Sequence, residues 1–186
     1  DYIAGGYKRN AINSYDLSVA RELLQQARYS DAQLELEQAI AWLERNSNDS
    51  ESMLAVLDEA QRLLRQSIRG QEAEQAALAA RSALEANDYE RSSELVKQAQ
   101  EAYAEIGDQR QNEVLATFAE RAERGLQAIA ELDRAITAAR SVRYPSARAA
   151  AKQAASEFDA LGDFDRALQA RILIRSLDQR QQILGV

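Results

Sequence analysis

Residues 109–142 read QRQNEVLATFAERAERGLQAIAELDRAITAARSV, and their apolar positions decide the fold class. Leu115, Phe118, Ala122, Gly125, Ile129, Leu132, Ile136 and Ala139 follow one another at alternating spacings of three and four. A half-buried strand needs a period of two, whereas a mean spacing near 3.5 puts these residues on one stripe of an α-helix, as a heptad-like seam. Gly125 is a weak point, since glycine in a helix interior costs about 1 kcal/mol relative to alanine. No cluster of turn residues follows it, so the expectation is one long helix, with two shorter ones as the alternative. Tyr144-Pro145 closes the stretch, because proline pushes the preceding residue out of the α region.

The same periodicity extends outward in both directions, from Ser14 almost to the C-terminus. It predicts helices over 14–27, 30–46, 50–68, 72–86, 89–105, 109–142, 146–160 and 164–182. The breaks between them carry helix-end chemistry. Asn46-Ser-Asn-Asp-Ser50 is polar, with Asn48 and Glu51 at capping-box spacing. Arg69-Gly70 pairs a cation with a residue that tolerates left-handed backbone. Ile106-Gly107-Asp108 and Leu161-Gly162-Asp163 supply the later stops. Residues 1–13, with the Gly5-Gly6 pair, lack helical spacing and read as an extended lead or tether ahead of a single helical domain over 14–186.

Composition agrees with an all-α chain. Of 186 residues one is proline and seven are glycine, with 46% hydrophobic and 28% charged, a balance that folds without disulfides or metals. Helices of this length are marginal alone in water, so each must bury its apolar face on a neighbour, and short connections make the neighbours antiparallel. The predicted architecture is an antiparallel helix-turn-helix array of about eight helices.

Charge and residue inventory exclude several kinds of function. The formal charge of −7 disfavours nonspecific binding to nucleic acid or to an anionic membrane. It is unevenly spread, at −3 over residues 1–70, −6 over 71–140 and +2 over 141–186. The chain has no cysteine, hence no thiolate nucleophile, disulfide or cysteine-built metal site. It has no histidine either, which removes the usual general base, the Ser-His-Asp arrangement and the Glu-x-x-His ligands of carboxylate-bridged bundles. No Asp-rich loop has calcium-site spacing, and Lys8, Lys97 and Lys152 stand in no phosphate-binding glycine loop. Asp163 and Asp165 flank Phe164 and read as a helix-start cap. No catalytic residue, cofactor or metal is expected. No apolar run reaches the ~18 residues of a membrane span. The chain opens on Asp1 rather than Met, so an upstream segment is expected, lost either with an export signal or at a domain boundary. The first origin makes the protein periplasmic, with residues 1–13 as the tether of a lipoprotein, and the second leaves it cytoplasmic.

Three helix pairs are similar to one another when Tyr29, Tyr89 and Phe164 are set in register. Three residues later stand Ala32, Ser92 and Ala167, and seven later Leu36, Val96 and Arg171. Ten later come Ala39, Ala99 and Ile174. Nine residues earlier stand Ala20, Ala80 and Ala155, and six earlier Leu23, Ala83 and Phe158. With the turns Gly162-Asp163-Phe164 and Asn87-Asp88-Tyr89, this pattern resembles the tetratricopeptide repeat, a helix-turn-helix unit whose small residues let two helices approach and whose aromatic packs back on the pair. The motif's early Trp is absent, Glu44, Ala104 and Gln179 replace its terminal Pro, and the copies lie 60 and 75 residues apart rather than ~34.

The resemblance implies a curved solenoid that binds a protein or peptide along the first helix of each pair. It places Arg21 and Gln25, Arg81 and Glu85, and Lys152 and Asp159 towards the partner. The basic end, with Arg140, Arg143, Arg148, Lys152, Arg166, Arg171 and Arg175, suits an acidic partner or the chain's own acidic middle. Two other readings stand beside the scaffold: an exported accessory protein enclosing a small apolar ligand or supporting solute transport, and a structural oligomer assembled through the 109–142 seam.

Overall fold

The computed structural model describes residues 16–46 and 51–184. Among them are seven α-helices and no strand: α1 Ser18–Gln25, α2 Tyr29–Asn46, α3 Glu51–Glu85, α4 Tyr89–Ile106, α5 Asn112–Arg140, α6 Tyr144–Leu161 and α7 Phe164–Leu184. The lead over residues 1–13 and Asn48 of the expected capping box lie outside the described residues.

Two boundaries differ in kind from the sequence reading, and α1 and α5 begin at Ser18 and Asn112 where 14 and 109 were expected. Residues 51–85 form one continuous helix where a break at Arg69-Gly70 was expected. Gly70 serves packing, since a Cβ there would lie 2.3 Å from Cδ1 of the Tyr29 ring. The glycine is a flat place in a helix on which a phenol lies, not a stop. Tyr144-Pro145 likewise begins α6 rather than preceding it, because a proline in the first helical turn gives up an N–H that has no intrahelical acceptor.

Five chain reversals share one backbone geometry. Ala27, Asn87, Gly107, Val142 and Gly162 have positive φ, between 57° and 80°. In each case the next residue's N–H donates to the carbonyl five positions before it: Arg28 to Leu23, Asp88 to Ala83, Asp108 to Tyr103, Arg143 to Ala138 and Asp163 to Phe158, at 2.8–3.0 Å. This bond closes a helix C-terminus through a left-handed residue. Two of the five residues are glycine and one is asparagine, so the turns at Ala27 and Val142 carry no strong sequence mark.

The described residues fall into two compact units, the first within Asp1–Gln75 and Glu101–Gln109, the second within Ala76–Gln100 and Arg110–Val186. In the first, α1 packs against α2. Tyr29 is buried on Gly70, its hydroxyl donates to the Asp108 carboxylate, and Ser67 Oγ donates to the Tyr29 carbonyl at 3.0 Å. In the second, α5 packs against α6 and α6 against α7. Tyr89 is buried on Gly125 of the unbroken α5, and its ring joins Ala122, Ala128, Ala154, Phe158 and Ala167 in one core, with Phe118, Ile129 and Leu132 packed on it. The 109–142 seam is therefore used inside the chain. Its deepest residues after Gly125 are Ala128, Ala135 and Ala138, small enough to bring α6 close, while Ile129, Leu132 and Ile136 are half-buried.

The register set on Phe164 is followed in part, with Ala155, Phe158 and Ala167 buried like their counterparts, but not at the aromatic itself. Phe164 is 71% exposed, and Arg171 seven residues on is exposed as well. Tyr144 instead heads the series that matches Tyr29 and Tyr89. Its followers Ala147, Ala151, Ala154 and Phe158, and Ala135 and Ala138 before it, are buried like Ala32, Leu36, Ala39, Leu43, Ala20 and Leu23. Tyr89 and Tyr144 are 55 residues apart, as are Gly107 and Gly162, Gly70 and Gly125, and Asp108 and Asp163.

Candidate functional site

The buried ionisable groups are the natural place to look for chemistry, and both buried carboxylates are engaged in holding turns. Asp163, 2% exposed, accepts from the Arg166 backbone N–H at 3.2 Å and so caps α7, as its sequence position suggested. It also takes the Tyr89 hydroxyl at 3.3 Å and Arg166 Nη1 at 2.6 Å. Arg166 donates further to the Asn87 carbonyl at 3.0 Å and lies 5.6 Å from the centre of the Tyr89 ring. Burial, then the negative Asp163, push the Tyr89 phenol up to about 12. A phenol held neutral and bonded to a carboxylate anchors a turn. In the first unit burial raises Glu74 above the ordinary carboxylate range, with the Asp108 charge adding to the effect.

Two open clefts repeat one arrangement 55 residues apart. The first, about 400 Å³, is lined by Arg62, Arg65, Gln66, Arg69, Glu105 and Ile106. Gln66 Nε2 reaches the Ile106 carbonyl at 3.4 Å, and Arg69 grips Glu105 through two bonds of 2.6 and 2.9 Å, which holds that carboxyl below its usual range. The second, about 450 Å³, has Arg121 in the place of Gln66, bonding the Leu161 carbonyl at 3.0 Å, while Arg124 in the place of Arg69 pairs with Glu157 at 2.5 Å on the adjoining surface. These side chains satisfy orphan carbonyls at helix C-termini, a structural task. No group of acidic residues able to hold a metal occurs among the described residues. No helix among them is long and apolar enough to cross a membrane.

Of the six residues expected to face a partner, Arg21 and Gln25 belong to the first unit and Arg81, Glu85, Lys152 and Asp159 to the second. Arg21 is exposed and pairs with Glu59 at 2.9 Å. Gln25 is exposed on the last turn of α1. Arg81 and Glu85 pair with each other at 3.0 Å on the surface of α3. Lys152 is exposed on α6, and Asp159, half-buried, bonds Arg171 of α7. Of these, Lys152 and Asp159 fall on one side of one helix. Trp42 is half-buried on α2.

The sequence reading missed an exposed apolar side of α7. Phe164, Leu168 and Ile172 are 71%, 55% and 60% exposed, at four-residue spacing. Phe164 had been given a packing role, and the clue against it was the better match of Tyr144 to the buried series. No protein-family model matches the chain, and comparison with curated proteins and with solved structures returns no significant match.

Proposed function

We propose that the chain is a noncatalytic helical-repeat scaffold that binds another protein or peptide through its exposed helix surfaces. The observation that carries this reading is the recurrence of one building set, a tyrosine on a helical glycine with its hydroxyl on a turn aspartate, the tyrosines 60 and the glycines and aspartates 55 residues apart. The long helix α5 has two jobs in it. The first half of α5 receives Tyr89 on Gly125, and the second half packs Ala135 against Ala150 and Ala151 of α6. Repetition of this kind extends a surface without enclosing a pocket. The buried polar groups that would be the best catalytic candidates, Asp108 and Asp163, both accept a tyrosine hydroxyl. The clefts are open and lined by charged side chains, which suits a macromolecular surface better than an enclosed apolar ligand.

Cross-linked affinity capture from the native cell, run beside mass spectrometry of gently extracted protein, tests this. A saturable protein partner competed by unlabelled chain is the expected result. A retained small molecule with no protein partner, or turnover in a broad substrate screen, would sink the proposal.

A further inference from the structure

The α7 surface carries an apolar stripe that its own packing does not use. Phe164, Leu168 and Ile172 line one side of the helix, whereas Ala167, Ala170 and Leu177 fill its buried side. Exposed apolar residues are ordinary in isolation, so exposure alone decides nothing. The chain contains its own comparison. Counted from Gly107 as these are from Gly162, the same positions leading into and along α5 are Gln109, Glu113 and Thr117, and all three are exposed. The fold therefore leaves this side to solvent in both places, and α5 covers it with polar residues as solvent requires. On α7 the same side is apolar.

Cations border the stripe towards α6, and Asp165 stands on its other side. Arg175 continues its line one turn further on, Arg171 lies beside it, and Arg180 follows on the same helix. Two ion pairs, Arg148 with Asp178 at 3.0 Å and Asp159 with Arg171, run along the boundary of α6 and α7, and Lys152 sits between Arg148 and Asp159 on α6. Lys152, Arg175 and Arg180 have no ion-pair partner among the described residues.

From this juxtaposition we infer that the α6–α7 face docks an acidic amphipathic helix, whose apolar side chains sit on Phe164, Leu168 and Ile172 and whose carboxylates reach Lys152 and Arg175. The inference rests on the scaffold reading and names its partner class and site. Three side chains at four-residue spacing cover about 12 Å, two helical turns, which matches the two or three anchors of a docked helix. A short apolar centre with a charged rim is also the ordinary anatomy of a protein interface.

A displayed library of helical peptides with randomised faces, panned on the whole chain, provides the probe. The inference expects enriched peptides to pair spaced apolar residues with an excess of Asp and Glu. Their affinity should fall about tenfold or more on Leu168→Glu with Ile172→Glu, and severalfold on Arg175→Glu. These are surface changes, so the far-ultraviolet circular dichroism of each variant should match the parent. Enriched peptides without acidic excess, or equal binding to the variants, would overturn the inference. So would phosphatidylglycerol vesicles or a second copy of the chain proving to be the occupant, seen as variant-sensitive vesicle binding or dimerisation. A cellular partner whose capture ignores these variants leaves the scaffold reading standing and removes this one.

Discussion

Replacing Gly125 with alanine should destabilise the protein, against the ordinary direction of that change. In an exposed helix interior Gly→Ala contributes about 1 kcal/mol of stability. Here the added Cβ would lie 2.3 Å from Cγ and Cδ1 of Tyr89 and 2.5 Å from Cδ2. Non-bonded carbons rest at about 3.5–4.0 Å, so the ring must retreat by more than ~1 Å. It has nowhere to go: it is 1% exposed, its hydroxyl is tied to Asp163, and Arg166 lies against its face. Overpacking of this kind costs about 1–3 kcal/mol. Displacing the hydroxyl leaves a buried carboxylate short of a donor, for about another 1–3 kcal/mol. Offset by the helix propensity, the net loss is about 3 kcal/mol, which in urea shifts the midpoint down by about 1–2 M for an m-value near 2 kcal/mol/M. Unfolding followed by circular dichroism measures it, and a double-mutant cycle with Tyr89→Leu isolates the cause, since a flexible leucine can yield and should remove at least half the penalty. An unchanged or raised midpoint in the parent background, or an undiminished loss beside Leu at position 89, would refute the reasoning.

Other consequences follow from single groups. Tyr89 should titrate near pH 12, about two units above exposed tyrosines, in an absorbance titration that Tyr89→Phe simplifies. Because the folded value lies above the ordinary tyrosine value of 10.0, this share of stability is fully present below pH 10 and is lost as pH rises through 12. Ser92 is buried and its hydroxyl has no hydrogen-bond partner, at a position where the matching residues are Ala32 and Ala147. Ser92→Ala should therefore raise stability by about 1 kcal/mol, and a lower urea midpoint would contradict the idea. Val142 is β-branched, 64% exposed and held at φ 58°. Val142→Gly should relieve about 1 kcal/mol of backbone strain and raise the melting temperature, unless the turn is not left-handed in solution.

The fate of particular residues shows which features were legible before the structure. The unbroken α5 was readable because its apolar residues keep one period across Gly125, and period is a local property of the chain. Gly70 was misread as a helix stop because a glycine in a sequence signals freedom of backbone, while the reason for this one is a tyrosine ring 41 residues away. Tyr144 was hidden by the proline after it and by Val142, which takes a left-handed turn without being glycine or asparagine. Phe164 looked like a core aromatic because it follows the clear Gly162-Asp163 turn, yet the turn only fixes where the helix begins. Which side of α7 is covered depends on the α6–α7 packing. Of the six expected partner-facing residues, Lys152 and Asp159 fall on the side of α6 next to the apolar stripe of α7, Asp159 through its pair with Arg171.

The sequence by itself determined that this protein is helical, where most helices begin and end, and that neither histidine nor cysteine is available to its chemistry. Those follow from residue propensity, from a 3.6-residue period and from an inventory that contains no histidine or cysteine. Only the tertiary structure decided why Gly70 and Gly125 interrupt two long helices without breaking them, that Asp108 and Asp163 are taken by Tyr29 and Tyr89, and that one side of α7 is apolar yet uncovered. Each of these is a relation between residues 36 to 79 positions apart or a property of a face. Local periodicity says that a helix has an apolar side, and only its neighbours say whether that side is filled.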